Sequence, residues 1–371
     1  MKRLLMLAAA AALTLTSALA TPARADVSAA DLARNPGLAG VSFDDLAFLA
    51  RLYNAALKSG KTTVNVYSAN APVDPNNNLG VVFRAFEKSF PGIKVVGTRI
   101  GGAELSARLD AEIASGHRQG DIVGSADDYI PRGLIEPFDP PLARNVPKEW
   151  HYPGNYYTAA ALKQFGLVYN TRLVKPNEVP RTLDEVLSPK WRGRVTIGQP
   201  TGVEPIDSVF AVLWDQKKID RPTLQKIADF IPRRDRAPMS SIASSWVAQG
   251  RYAIALWATS SVGRQLASRG APIAPAPFPR TVTNPTGHAL LKGAPSPDAA
   301  KLLLDWLFSP TAQRLYGSAV YEQGAVPGSP PAIGMPKIAP DGAFQNPVPG
   351  FSEKRRKIYQ DVVLPIFGSA T

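Results

Sequence analysis

Residues 165–200 read FGLVYNTRLVKPNEVPRTLDEVLSPKWRGRVTIGQP, and the order of residue types along this stretch fits strand, turn, helix, turn, strand. Leu167, Val168 and Tyr169 make a short apolar run, long enough for a buried strand. Asn170 suits the turn after it, because its side chain can bond backbone two residues on. Thr182 followed three positions later by Glu185 is a capping box, which predicts a short helix starting at Leu183. Pro189 and Gly193 stop that helix, and residues 195–197 read as the next strand.

The same alternation runs through the rest of the chain. Leu46, Leu49, Leu52, Tyr53 and Leu57 lie near one face of a helix over 44–59, which Gly60 ends. Residues 63–67 are rich in β-formers, and 79–90 follow as a helix with Val82, Phe83, Phe86 and Phe90 on one stripe. A strand over 93–96, a helix over 104–115 and a third strand over 121–123 complete this first set. Strands alternating with helices of this length are βαβ units and build a mainly parallel sheet. A second set begins near Tyr156. It takes in the 165–200 stretch, helices over 222–231 and 241–249, a strand over 252–256 and a helix over 260–268. Residues 271–279 are rich in Pro and Ala and read as an extended return crossing. Ser296 before Pro297, and Ser309 before Pro310, are helix starts. Residues 324–350 are dense in Pro and Gly and should wrap irregularly over the surface, and a last helix is expected over 352–363.

Lys2 and Arg3 precede a dozen apolar residues over 4–15, and Ala23-Arg24-Ala25 is a small-x-small cleavage site. This is the pattern of an export signal whose removal after Ala25 leaves Asp26 first, with Ala18-Leu19-Ala20 as a second possible site. The apolar run falls short of the roughly 20 residues that a spanning helix needs. The chain has no cysteine, which removes disulfides, thiolate metal sites, cysteine nucleophiles and a lipidated cysteine together. Cleavage leaves 346 of the 371 residues, more than one core usually grows to, so two domains are expected. The formal charge of +12 falls to +9 once Lys2, Arg3 and Arg24 are gone. A basic balance suits anionic partners. Export argues against nucleic acid, and the short basic clusters at 233–236 and 354–357 read as solvated faces, so the charge hints at a small anionic ligand. His117, His151 and His288 stand far apart, and no HExxH, GxSxG or P-loop string occurs, which argues for binding rather than catalysis.

Several strings occur in a telling order: YSAN at 67–70, FEKSFPGIKV at 86–95, DIVGSADD at 121–128, GLIEP at 133–137, the YNT block at 169–171 and GHALLKGAPSPDAAKLLLDWLFS at 287–309. Together they resemble the solute-binding proteins of ABC importers, in the branch that holds ferric-ion, phosphonate, sugar-phosphate and thiamine binders. The resemblance implies the type 2 periplasmic-binding fold, α/β, with two lobes of mainly parallel sheet joined by two crossings and a ligand cleft between them. It implies a signal peptide over 1–25, a first lobe over 26–158, a second lobe over 159–272, a return to the first lobe over 273–320 and a C-terminal wrap and helix over 321–371. It further implies a monomeric periplasmic protein, with no enzyme activity and no cofactor, that delivers one small solute to permease subunits in the inner membrane. A sensory module docking on a membrane receptor would carry the same sequence features.

In open α/β sheets ligands bind beyond the carboxyl ends of strands, where helix N-termini present free N–H groups that favour anions. The candidates at such places are Ser68 and Asn70 after the first strand, Gly102 before a helix and Ser125 after the third strand. In the second lobe they are Thr201, Gly202, Trp257, Thr259, Ser260 and Ser261, with Trp257 either a stacking surface or a core residue. Ferric binders similar to this chain place a histidine after the first strand, an acid after the third and a tyrosine pair beyond the later strand. Here Asn70 and Ala71, Ala126, and Ser260 with Ser261 stand at those places. Fe³⁺ wants hard anionic oxygen ligands, whereas hydroxyls and N–H groups suit a phosphate, phosphonate or carboxylate. An anionic organic solute is therefore expected, with ferric iron or an iron chelate as the alternative. Tyr156 and Tyr157, near the first crossing, should pack at a hinge.

Overall fold

The computed structural model describes residues 25–69, 71, 78–124, 126–338 and 342–368. The proposed signal segment up to residue 24, Asn70 and Ser125 lie outside the described residues. The chain opens with α1 (Ala29–Ala33) and α2 (Phe43–Ser59), then β1 (Thr63–Ser68), α3 (Leu79–Ser89), β2 (Lys94–Arg99), α4 (Gly102–Ser115), β3 (Ile122–Gly124) and the short β4 (Ile135–Glu136). Ser42 caps α2 by accepting from the Asp45 N–H, and Gly60 ends it in the left-handed region at φ 68°. β1 pairs in parallel with both β2 and β3.

The twelve-residue β5 (Ala159–Asn170) leads into the second lobe. That lobe holds α5 (Leu183–Val186), β6 (Val195–Gly198), α6 (Pro205–Asp215), α7 (Arg221–Phe230), β7 (Arg236–Ala237), α8 (Ser240–Ala248), β8 (Ile254–Thr259), α9 (Ser260–Ser268) and β9 (Ile273–Ala276). β10 (Val282–Leu291) returns, followed by α10 (Pro297–Trp306), α11 (Pro310–Leu315), β11 (Gln323–Gly324), β12 (Ala343–Phe344), α12 (Phe351–Ile358) and α13 (Leu364–Phe367). The strands form one continuous sheet in the order β2-β1-β3-β10-β5-β8-β6-β7.

Two large apolar cores sit at the two ends of this sheet. One gathers Leu49, Val82, Phe86, Phe90, Leu303 and Trp306, with the Phe86 ring 5.1 Å from Phe90 and 5.6 Å from Trp306. The other gathers Trp191, Phe210, Leu224, Trp257, Phe278 and Phe367. Burying each such side chain is worth roughly 1.5–3 kcal/mol, so each lobe has its own source of stability. Core membership passes from the first to the second between Ala161 and Phe165, and back between Val282 and Leu290. β5 and β10, paired antiparallel from Gly287↔Ala159 to Val282↔Phe165, are the two crossings.

Three readings of the sequence change. The return crossing is β10, not 271–279; that stretch contains β9, an edge strand paired with β5, where its Pro275 is tolerated. β10 was hidden by Pro285 and Gly287, which look like turn residues yet pair with Leu162 and Ala159. The strand expected over 167–169 starts eight residues earlier, at Ala159, because the Ala-rich 159–162 carries no period-2 pattern. Finally, α6 went unpredicted. Residues from Ile206 to Leu213 are buried all round the helix, which erases the amphipathic signal.

Candidate functional site

The sheet itself defines a cleft. β3 ends at Gly124 opposite His288, and β8 ends at Thr259 opposite Phe165. β10 runs antiparallel to β3, and β5 antiparallel to β8, so the carboxyl ends of β3 and β8 point at one another along the β5–β10 ribbon. The six-residue gap between those ends corresponds to roughly 20 Å at ~3.3 Å per residue. β6, parallel to β8 with Val195↔Ile254 and Thr196↔Ala255, ends on the same side.

Ser68 is 4% exposed at the end of β1, and its Oγ lies 2.8 Å from where a Cβ on Gly124 would stand. Only glycine lets β1 and β3 finish this close together. Gly102, at φ 55°, opens α4 with no side-chain cap and is exposed. Thr259, Ser260 and Ser261 are 8%, 2% and 3% exposed at the start of α9, which also lacks a side-chain cap. The Ser260 hydroxyl faces the hinge, 3.4 Å from a would-be Cβ on Gly166. α3, α4 and α9 all follow cleft-side strand ends and have no side-chain cap, a feature they share with α8, α10, α12 and α13, whereas Ser28, Ser42, Asp220 and Ser309 cap their helices.

Thr201 and Gly202 turn out differently. Their N–H groups, with that of Glu204, donate to one Asp207 oxygen at 3.2, 2.9 and 2.9 Å. The first turn of α6 thus carries its own carboxylate, and those N–H groups are not free for an anion. Trp257 is not a stacking surface. It is 0% exposed, packs edge-on to Phe210 at 5.7 Å and donates from Nε1 to the Arg280 carbonyl at 2.7 Å. Its position at the end of a buried strand, with φ at 47°, turns the ring into the second core.

Acidic and basic side chains also meet here. Tyr157 Oη donates to Asp127 Oδ1 at 3.0 Å, so of the expected hinge pair Tyr157 reaches a carboxylate at the end of β3. Arg356 on α12, packed on the second lobe, pairs with Asp128 of the first at 3.1 Å. Arg355 beside it bonds Ser208 Oγ at 3.4 Å. Asn78 at the start of α3 donates to Gln265 of α9 at 3.1 Å, a second link between lobes. Burial pushes the Asp127 carboxyl up, opposed by the Tyr157 hydrogen bond and the Arg355 charge. Burial likewise lifts Asp207 to about 6 despite its three N–H donors. The basic run at 354–357 was the available signal; as a solvated face it gave no hint that two of its arginines turn toward acids.

Residues 60–314, more than half of the chain, match the family model described as bacterial extracellular solute-binding protein. The chain matches no curated protein. Similar solved structures include the periplasmic binding protein AfuA from Actinobacillus pleuropneumoniae with fructose-6-phosphate bound, at 17% identity and TM-score 0.64 over 81% of this chain and 99% of that one. Iron-bound HitA from Pseudomonas aeruginosa is similar at 17% identity and TM-score 0.63, over 81% and 99%. The substrate-binding protein of an ABC transporter from Agrobacterium tumefaciens is similar at 16% and 0.66, over 83% and 96%. The fold is therefore that of the type 2 periplasmic binding proteins.

Proposed function

The chain belongs to the bacterial extracellular solute-binding proteins of ABC transporters, and from that premise we propose that it captures an anionic organic solute in the periplasm and hands it to an inner-membrane permease. Phosphate, phosphonate and carboxylate groups are the proposed anions. The observation that carries this reading is the set of uncapped N-termini of α3, α4 and α9 at facing strand ends, joined by the buried hydroxyls of Ser260 and Ser261. Each such terminus offers unpaired N–H groups and a partial positive charge. A bound anion would satisfy donors from both lobes and so favour the closed arrangement; the β5–β10 ribbon would flex between open and closed forms. The AfuA structure holds a sugar phosphate and the HitA structure iron. Of these two ligand classes, the hydroxyl and N–H donors of this cleft suit the first.

A thermal-shift panel tests the reading. A tight ligand at about 100 times its dissociation constant adds roughly 2.7 kcal/mol of stability. Phosphorylated, phosphonylated or carboxylated compounds should raise the midpoint, and Ser260→Ala with Ser261→Ala should remove the rise. A rise with ferric iron alone, or with organic cations alone, overturns the proposed class.

A further inference from the structure

A polar groove of about 370 Å³ opens on the first lobe, away from the cleft. Asn65 and Tyr67 share one face of β1, and Thr98 of β2 stands beside Tyr67 on that face, which α4 covers. Arg108 lines the groove from α4, Arg118 and Gln119 from the turn between α4 and β3, and Pro295 from the loop after β10. β3 runs parallel to β1 and antiparallel to β10, so this turn and this loop meet at the amino end of β3. Arg118 Cγ lies 3.9 Å from a would-be Cβ on Gly293 of that loop. The solute cleft lies at the opposite end of the sheet, beyond Ser68 and Gly124.

The walls are fixed and rich in donors. Arg108 donates from Nε to Glu112 at 3.1 Å and from Nη2 to Gln119 Oε1 at 2.8 Å, and its guanidinium lies 4.8 Å from the Tyr67 ring centre. Tyr67 donates to Glu112 at 2.6 Å. A Cβ on Gly120 would stand 2.6 Å from the Tyr67 ring, so glycine lets the ring lie against the turn. The nearby acids are turned to their own chain. Glu112 Oε2 accepts from the N–H groups of Gln119 and Gly120 at 2.9 and 3.1 Å. Asp121 accepts from those of Asn65 and Ser296 at 2.8 and 2.6 Å. Arg118 is half-buried, and among the described residues it makes no hydrogen bond or ion pair. With its oxygen taken by Arg108, the Gln119 amide is left to donate. A cation would meet the uncompensated Arg118 charge, and an apolar group would desolvate it without a partner. The groove suits a ligand that accepts hydrogen bonds and carries negative charge.

We propose that this groove is a second ligand site, for a small molecule bearing a carboxylate or phosphate group that pairs with Arg118 beside the anchored Arg108. A guanidinium holds either group through two parallel N–H bonds. The volume is that of a small-molecule site. Every lining residue belongs to the first lobe, on one side of the β5–β10 ribbon. The occupant therefore touches nothing that moves when the lobes close, and it binds open and closed forms alike. The groove and the cleft bind independently, and the site does not rest on the reading of the cleft.

Isothermal titration of the full chain tests this with citrate and inorganic pyrophosphate as probes. The proteins are wild type, Arg118→Met, Arg269→Met and the double variant Ser260→Ala, Ser261→Ala. Arg269 is an exposed cation at the end of α9, so its loss controls for net charge. At least one probe should saturate a site that Arg118→Met weakens by about tenfold or more, as loss of a charged hydrogen-bond partner does. Arg269→Met and the double variant should leave that site unchanged. Citrate alone assigns a carboxylate, pyrophosphate alone a phosphate, and both together either group. A probe that also enters the cleft gives two sites, of which Arg118→Met removes one and the double variant the other. Arg118→Met without effect, equal weakening by Arg269→Met, loss of all binding in the double variant, or no binding of either probe overturns the site. Arg118→Met should unfold at the wild-type temperature, which shows that weakened binding is not lost structure.

Discussion

α6 and α9 both begin where a strand of the second lobe ends, and both look alike as short polar junctions, GQPTGVEP and WATSS. Yet α6 has a buried carboxylate drawn into its first turn, while α9 has only hydroxyls and no side-chain cap. One helix start is already neutralised by its own chain; the other is left for something to complete. On the proposed reading, two junctions that could each have held an anion divide the work, one structural and one receptive.

Five experiments press on that division. Asp207→Ala strands three buried N–H donors and should cost about 3 kcal/mol in urea unfolding. The same residue sets a pH dependence. Its folded pKa, about 6, lies above the ordinary 3.8 of an aspartate. The folded protein therefore holds this proton more tightly than the unfolded chain. Stability from this group grows as pH falls from above 6 toward 4 and is lost as pH rises through 6. The span is roughly 2–3 kcal/mol, and Asp207→Asn should flatten that part of the profile.

Gly202→Ala comes next. Its φ of 92° disfavours a side chain, and the new Cβ would meet the Tyr359 ring at 2.9 Å. A loss near 2 kcal/mol is expected by thermal unfolding. At α9 the effect should change kind. Ser260→Ala with Ser261→Ala should weaken solute binding by about tenfold with under ~1 kcal/mol of stability lost. If that double variant unfolds as readily as Asp207→Ala, the division between the two junctions fails. The smallest effect belongs to Arg356→Ala. It removes a half-exposed pair with Asp128 and should cost about 0.5 kcal/mol or less. It should also loosen the link between lobes, read as a shift toward open distances between spin labels on the two lobes.

Much of this was legible in advance, and the exceptions share a cause. The helix expected over 260–268 is α9, Ser260–Ser268, because a buried strand, a hydroxyl run and an apolar face mark it locally. The βα alternation of the first lobe was equally plain, since each element carries its own period. What stayed hidden depends on distant partners. Pro285 and Gly287 pass for a turn until β5 pairs with them. Asp207 looks like any first-turn acid until the loop folds its N–H groups onto it. Trp257 is among the candidate site residues read from the sequence, but strand alternation and Phe210 decide that it faces the core. Arg355 lies 147 residues from Ser208, beyond the reach of any spacing rule.

Native mass spectrometry of the protein purified gently from periplasm tests the central claim most directly, because a tight binder carries its solute with it. The account predicts an added mass matching an organic anion, absent from the Ser260→Ala, Ser261→Ala variant. An added iron, or an added cation that the double variant retains, would contradict it.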